Sequence, residues 1–233
     1  MTSTVPALGT RTAEGSALQA VLLDMDGTLV DTEGFWWDVE VEIFARLGHT
    51  LDESWRHVVV GGPMTRSAGF LIEATGADIP LTELTTLLNE GFEDRIDHAL
   101  PLMPGAARLL AELHEHAIPT ALVSASHRRI IDRVLKALGP HHFDLSIAGD
   151  EVSRTKPFPD PYLLAAAGLG ARPDRCAVVE DTATGVAAAE AAGCRVVAVP
   201  SVAPITPSEG RTVVTSLEEV DLAFLRGLMT EMP

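Results

Sequence analysis

Short runs of consecutive apolar residues alternate along the chain with longer stretches in which apolar positions recur every three or four residues. The runs are AVLLD (20–24), TALVS (120–124), LSIAG (145–149), CAVVED (176–181) and VVAVP (196–200), each short enough for a buried strand. Between them, GAARLLAELHEH and RRIIDRVLKALG carry the spacing of helices with one apolar side, and the Ala-rich GVAAAEAAG ends at the helix-stopping Gly193. Strand thus alternates with helix. That order predicts an α/β fold: a doubly wound, mostly parallel sheet covered on both faces by helices and joined by right-handed crossovers.

The alternation breaks between Asp31 and about Pro104. Here FWWDVEVEIFARLG puts Trp36, Val39, Ile43, Phe44 and Leu47 on one helical side, and RSAGFLIEATG and LTELTTLLNEGFEDRI supply further amphipathic helices. No strand alternation is evident in this interval, and Pro101 and Pro104 mark its exit. The expected organisation is a flexible N-terminal tail over residues 1–18, a core built from residues 19–32 and 102–233, and an inserted helical block over residues 33–101. Such a block can cover the edge of the sheet, or it can be a structural elaboration with no further duty.

Composition narrows the function classes. A chain of 233 residues with 46% hydrophobic and 21% charged residues is long enough to bury a substantial core. No apolar segment approaches the roughly 18 residues of a membrane span. Residues 1–18 lack the basic start and apolar block of a secretory signal. Two cysteines, Cys176 and Cys194, imply no disulfide framework and fit a reducing cytoplasm. Seventeen basic against thirty-three acidic residues give a net charge of −16, which opposes binding to nucleic acid or an anionic membrane surface. An anionic ligand would then need local positive charge from a metal ion, a helix N-terminus, or single Lys and Arg side chains.

The polar residues at the ends of the runs carry the chemistry. Asp24, Ser124 and the pair Glu180 and Asp181 all fall at the carboxyl ends of predicted strands, where open α/β sheets bind their ligands. Asp24 and Asp26 stand two residues apart in AVLLDMDGTLVDTE, and like charges that close repel unless a cation or a shared proton intervenes. Asp24, Asp26, Glu180 and Asp181 together supply enough carboxylate oxygen to hold one Mg²⁺, a hard ion that takes a few carboxylates, waters and a substrate phosphate. The competing interpretation is that these acids cap helices or sit on solvated turns.

DMDGTLVDTE, VSAS, KPFPDPY and VVEDTATG stand in the order and strand positions of the four motifs of the haloacid dehalogenase superfamily, and the chain resembles its members over residues 20 to about 200. The resemblance implies a Rossmann-like core with an inserted α-helical cap. It implies that Asp24 is a nucleophile forming an aspartyl-phosphate, and that Asp26 is the general acid and base, whose backbone carbonyl also ligates the metal. Ser124 and Lys156 take the places of phosphate-binding groups; Lys156 is one of only two lysines in the chain, and a compact ammonium suits a crowded site beside a phosphate. Glu180 and Asp181 resemble the acidic motif, with Asp181 the direct Mg²⁺ ligand and Glu180 acting through water. Gly27 and Thr28 form the turn after the nucleophile, with backbone N–H groups placed to meet the phosphoryl group. In GGPMTRS, Arg66 stands where the cap reaches down to select substrate; a solvated helix arginine is the alternative.

Members that dehalogenate or cleave carbon–phosphorus bonds lack an acid at the position of Asp26. Residues 33–100 contain no lysine, which removes the Schiff-base lysine of a phosphonate-cleaving relative. Where β-phosphoglucomutase-like members carry a histidine, this chain has Trp36, which weighs against a mutase, although VSASHRR and Arg66 also resemble that group. Trp36 and Trp37 could line a pocket or pack the helix, and packing is the expected role for at least one of them. A phosphoreceiver-like binding module shares the strand-end aspartate, hydroxyl, lysine and Mg²⁺, but is shorter and uncapped. The expectation is therefore a Mg²⁺-dependent phosphatase acting on a small phosphorylated metabolite, with the oligomeric state open and a monomer compatible with the sequence.

Overall fold

A computed structural model describes residues 18–59, 64–98, 100–201 and 203–230. The expected tail, apart from Leu18, and the Gly-Gly-Pro of GGPMTRS lie outside the described residues. Six strands form one sheet: β1 (Ala20–Leu23), β2 (Thr120–Val123), β3 (Leu145–Ile147), β4 (Cys176–Glu180), β5 (Arg195–Ala198) and β6 (Arg211–Val213), in the order β3-β2-β1-β4-β5-β6. Every pairing is parallel, with Leu22 opposite Ala121 on one side and Val178 on the other.

The apolar runs become strands because both their faces are covered. Val21 and Leu23 join one apolar cluster, with Leu109, Leu113, Ile131 and Leu225, while Ala20 and Leu22 join another, with Tyr162, Ala166, Val186 and Ala189. This is the two-residue alternation of a strand, and it explains why these runs read as continuously apolar. The first layer is built by α5 (Ala106–Glu115), α6 (Arg128–Leu138) and α9 (Leu222–Gly227), the second by α7 (Asp160–Gly168) and α8 (Ala183–Ala191). The sixth strand extends the expected set of five. Arg211–Val213 is three residues long and only half-buried, too short and too mixed for an apolar run to mark it.

Between β1 and α5 run α1 (Glu33–Arg46), α2 (Arg56–Val59), α3 (Met64–Thr75) and α4 (Leu81–His98). They enclose a third apolar cluster that includes Trp37, Val39, Phe44, Leu71, Leu84 and Leu88. Gly91 of α4 lets the two long helices approach, since a Cβ there would lie 2.8 Å from Val39 Cγ1. Leu47, expected on the buried side of α1, instead follows its last residue and is 36% exposed; the helix ends before its apolar side reaches that far. Trp36 packs against both the first and third clusters and stacks on Phe92, with centroids 3.7 Å apart and planes 7° apart. At least one of the two tryptophans thus packs, as expected, and Trp37 does so too, being 5% exposed.

Candidate active site

The chain leaves β1 and turns at once. Asp24 N–H donates to the Val179 carbonyl at 3.0 Å, and the N–H groups of Leu29 and Val30 both return to the Met25 carbonyl, at 2.9 and 3.1 Å. Gly27 has φ +79°, and a Cβ on it would lie 2.2 Å from Asp181 Oδ2 and 2.9 Å from Ser201 Oγ. Only glycine combines that conformation with that approach. The N–H groups of Gly27 and Thr28, expected to meet a phosphoryl group, are already donated within the turn, to Val30 at 2.9 Å and Met25 at 3.3 Å. What the fold shows for Gly27 itself is the space it leaves beside Asp181 and Ser201. Thr28 is buried, and its hydroxyl has no partner among the described residues.

Lys156 ties three strand ends together. Its ammonium donates to Asp24 Oδ1 at 2.6 Å, Glu180 Oε1 at 2.6 Å and the Val123 carbonyl at 2.9 Å, which matches its three donors. Burial opposes the ammonium, but the Asp24 and Glu180 carboxylates outweigh it and keep the lysine charged well above its ordinary range. Glu180 is held on both oxygens. Its Oε1 also accepts from Tyr162 Oη at 2.8 Å; its Oε2 accepts from Asp181 N–H at 3.0 Å and from Thr182 N–H and Oγ1, both at 3.1 Å. Burial would raise its pKa, yet Lys156 and these hydrogen bonds bring it below the usual carboxylate value. A Cβ on Gly185 would meet Glu180 Oε1 at 1.7 Å, so the first turn of α8 must be bare there.

Asp24 is 6% exposed. Its burial, reinforced by the charge of Glu180, raises its pKa to about 7 despite Lys156. Asp26 is oriented by hydroxyls: Oδ1 accepts from Thr32 at 2.7 Å, and Oδ2 from Ser124 at 3.1 Å and Ser126 at 2.9 Å. Ser124 Oγ in turn accepts Ser126 N–H at 3.0 Å. Thr32 occupies the N-cap of α1 but makes no capping bond with its side chain; its hydroxyl serves Asp26 instead. Asp181 Oδ2 accepts from Ser201 Oγ at 2.5 Å.

Asp24, Asp26, Ser124, Lys156, Glu180 and Asp181 are thus brought together from across the chain, Asp24 and Lys156 alone being 132 residues apart. Arg66 is not among them. It is exposed on the first turn of α3, and its Nη2 lies 3.5 Å from the Val58 carbonyl. Thr32, Ser126, Tyr162, Thr182 and Gly185 all lie inside the four quoted motifs but were assigned no role from sequence; Ser201 carries no local signal. Asp24, Glu180 and Asp181 offer carboxylate oxygens within 4.8 Å of one another, the donor type that Mg²⁺ takes. A groove of about 560 Å³ between α1 and α4, lined by Phe35, Val39, Ile43 and Leu87 among others, shares no residue with this cluster.

Residues 18–193 match the family of haloacid dehalogenase-like hydrolases. The chain is 34% identical over 187 residues to a bifunctional riboflavin kinase/FMN phosphatase of Arabidopsis thaliana, covering 78% of this chain but 48% of that protein, so it spans about half the length of this relative. It is 34% identical over 205 residues to hexitol phosphatase A of Escherichia coli, covering 85% of this chain and 91% of the other. The crystal structure of a CbbY mutant from Rhodobacter sphaeroides, in complex with xylulose-(1,5)bisphosphate, superposes with a TM-score of 0.77 at 28% identity, covering 89% of this chain and 99% of that one.

Proposed function

The chain belongs to the haloacid dehalogenase-like hydrolase family, and from that premise we propose that it is a Mg²⁺-dependent phosphatase of a small phosphorylated metabolite, a sugar phosphate or a close analogue. The observation that carries this reading is the buried Lys156 ammonium bridging Asp24 and Glu180 at 2.6 Å each. It fixes one carboxylate as a structural anchor and orients the other. Asp24 is the nucleophile: its free oxygen attacks phosphorus, the ester oxygen leaves, and an aspartyl-phosphate forms. Asp26, held on three hydroxyls, gives a proton to the leaving oxygen and then takes one from the water that hydrolyses the intermediate. Ser124 and Lys156 face the phosphoryl oxygens. Asp24, Asp181 and the Asp26 backbone carbonyl would hold Mg²⁺, while Glu180, its oxygens taken by Lys156, Tyr162, Asp181 N–H and Thr182, would add negative charge beside the site and not the water-mediated contact the resemblance implies; the ion would supply positive charge that offsets the phosphoryl oxygens.

Helices α1–α4 act as a cap that admits substrate and excludes bulk water. Hydrolysis is favoured over phosphoryl transfer to a sugar hydroxyl because Trp36, where the mutases carry a histidine, is stacked on Phe92 and offers the site no imidazole. The relatives named above as phosphatases agree. No helix among the described residues is long and apolar enough to cross a membrane, and Cys176 and Cys194 are buried and unbridged, which supports a cytoplasmic setting. An aryl phosphate supplied with Mg²⁺ is expected to turn over with the native chain and not with Asp24→Asn. A stably phosphorylated protein with no turnover would make it a binding module instead.

A further inference from the structure

One buried acid takes no part in the network just described. Glu40 lies at the centre of the apolar side of α1, among Trp36, Val39, Ile43 and Phe44, and is 5% exposed. Its Oε2 is buried without a hydrogen-bond partner. No charged group contributes to its titration, and burial alone lifts its pKa to about 7. Its neighbours at three- and four-residue steps, Trp36, Trp37, Ile43 and Phe44, are all apolar, and an apolar residue would fill the place at no electrostatic cost.

Its position indicates what the carboxyl is for. Thr32, Trp36 and Glu40 follow one another at four-residue steps and therefore share one side of α1. Thr32 touches Asp26, and Trp36 packs at once on the first cluster and on the helical block. Glu40 is one turn further on, about 12 Å along the axis from Thr32. A group placed there answers to the far end of an ester whose phosphate sits at Asp24, and not to the phosphate itself. A neutral carboxyl both donates and accepts a hydrogen bond, which matches a hydroxyl of an uncharged polyol better than a second anion.

We infer that Glu40 is a specificity-determining residue whose carboxyl hydrogen-bonds a hydroxyl on the organic part of the substrate, which makes the preferred substrates phosphate esters of polyols. The inference rests on the phosphatase reading above. Sorbitol 6-phosphate and hexyl phosphate are esters of the same chain length, with and without hydroxyls, and the ratio of their kcat/KM values reads the recognition directly. The native chain is expected to prefer the polyol ester. Glu40→Leu, which suits the apolar surroundings, should lower the ratio at least about tenfold, the effect of losing one ordinary hydrogen bond, and Glu40→Gln should retain most of it. A ratio near one in the native chain, or a ratio untouched by Glu40→Leu while both rates move together, overturns the inference. Absence of turnover with every ester, aryl phosphate included, would instead overturn the phosphatase reading on which it rests.

Discussion

Exchanging Glu40 for glutamine should remove a pH-dependent weakness from the fold. In the native chain the carboxyl is buried, its Oε2 without a hydrogen-bond partner among the described residues, and burial moves its pKa from 4.5 to about 7; in the unfolded chain it titrates near the lower value. Below that value both states hold the proton and the residue adds no pH dependence. Between the two values the folded state keeps a proton that the unfolded state releases, so stability falls as pH rises, by roughly 1.4 kcal/mol per pH unit. Above about pH 7 the loss levels off at roughly 3 kcal/mol. Glutamine has the same shape and cannot ionise. Urea unfolding of both proteins at about pH 5 and about pH 8 isolates the effect, because other titrating groups cancel in the comparison. On going to the higher pH, Glu40→Gln should gain roughly 2–3 kcal/mol on the native chain, or about 5–10 °C in Tm. An equal gap at both pH values would mean that the native carboxylate is ionised and partnered, and the reasoning would fail.

Lys156→Met leaves Asp24 and Glu180 buried without their cation and should cost about 3–5 kcal/mol, read as a lower urea midpoint along with lost turnover; a change under about 1 kcal/mol would contradict the bridging role. Gly185→Ala forces a methyl group into the seat of Glu180 and should reduce both stability and kcat. Gly69→Ala, in α3 with nothing within 4 Å of the added carbon, should leave kcat alone and add about 0.5–1 kcal/mol. Mg²⁺ at a hundred times its Kd should stabilise the native chain by about 2.7 kcal/mol. That shift should vanish with a chelator and shrink strongly in Asp181→Asn, as thermal unfolding would register.

The parts of this molecule that were legible in sequence are those whose signal is local. Val21 to Leu23, Ala121 to Val123 and Ala177 to Val179 read as strands because burial on both faces leaves no polar residue to interrupt them. The acids at their ends were recognisable because strand order already brings those ends together. What sequence did not show depends on approach through space. Ser126 and Asp26 are 100 residues apart, and nothing near Ser201 announces Asp181. Gly27 was noticed as a turn glycine, but its second constraint comes from Asp181 across the sheet. Arg66 shows how little a segment alone decides: it was offered as a substrate contact or a solvated helix arginine, and it lies exposed with its Nη2 3.5 Å from the Val58 carbonyl.

The residues that local rules would reject are concentrated around this site, and comparing them separates structure from function. An N-cap threonine ought to cap, yet Thr32 turns its hydroxyl to Asp26. A lysine ought to be exposed, yet Lys156 is buried against two carboxylates and a carbonyl. A glycine in a helix ought to weaken it, yet Gly185 makes room for Glu180. In each of these cases the local penalty is answered by a contact within the chain, so the fold alone accounts for the residue. Glu40 breaks the same kind of rule, and its Oε2 has no such contact among the described residues. By that comparison Glu40 is the one of the four that the contacts among the described residues leave unexplained, in keeping with the substrate hydroxyl inferred for it above. It follows that binding of a polyol phosphate should narrow the stability gap between the native chain and Glu40→Gln, which denaturation in its presence would reveal.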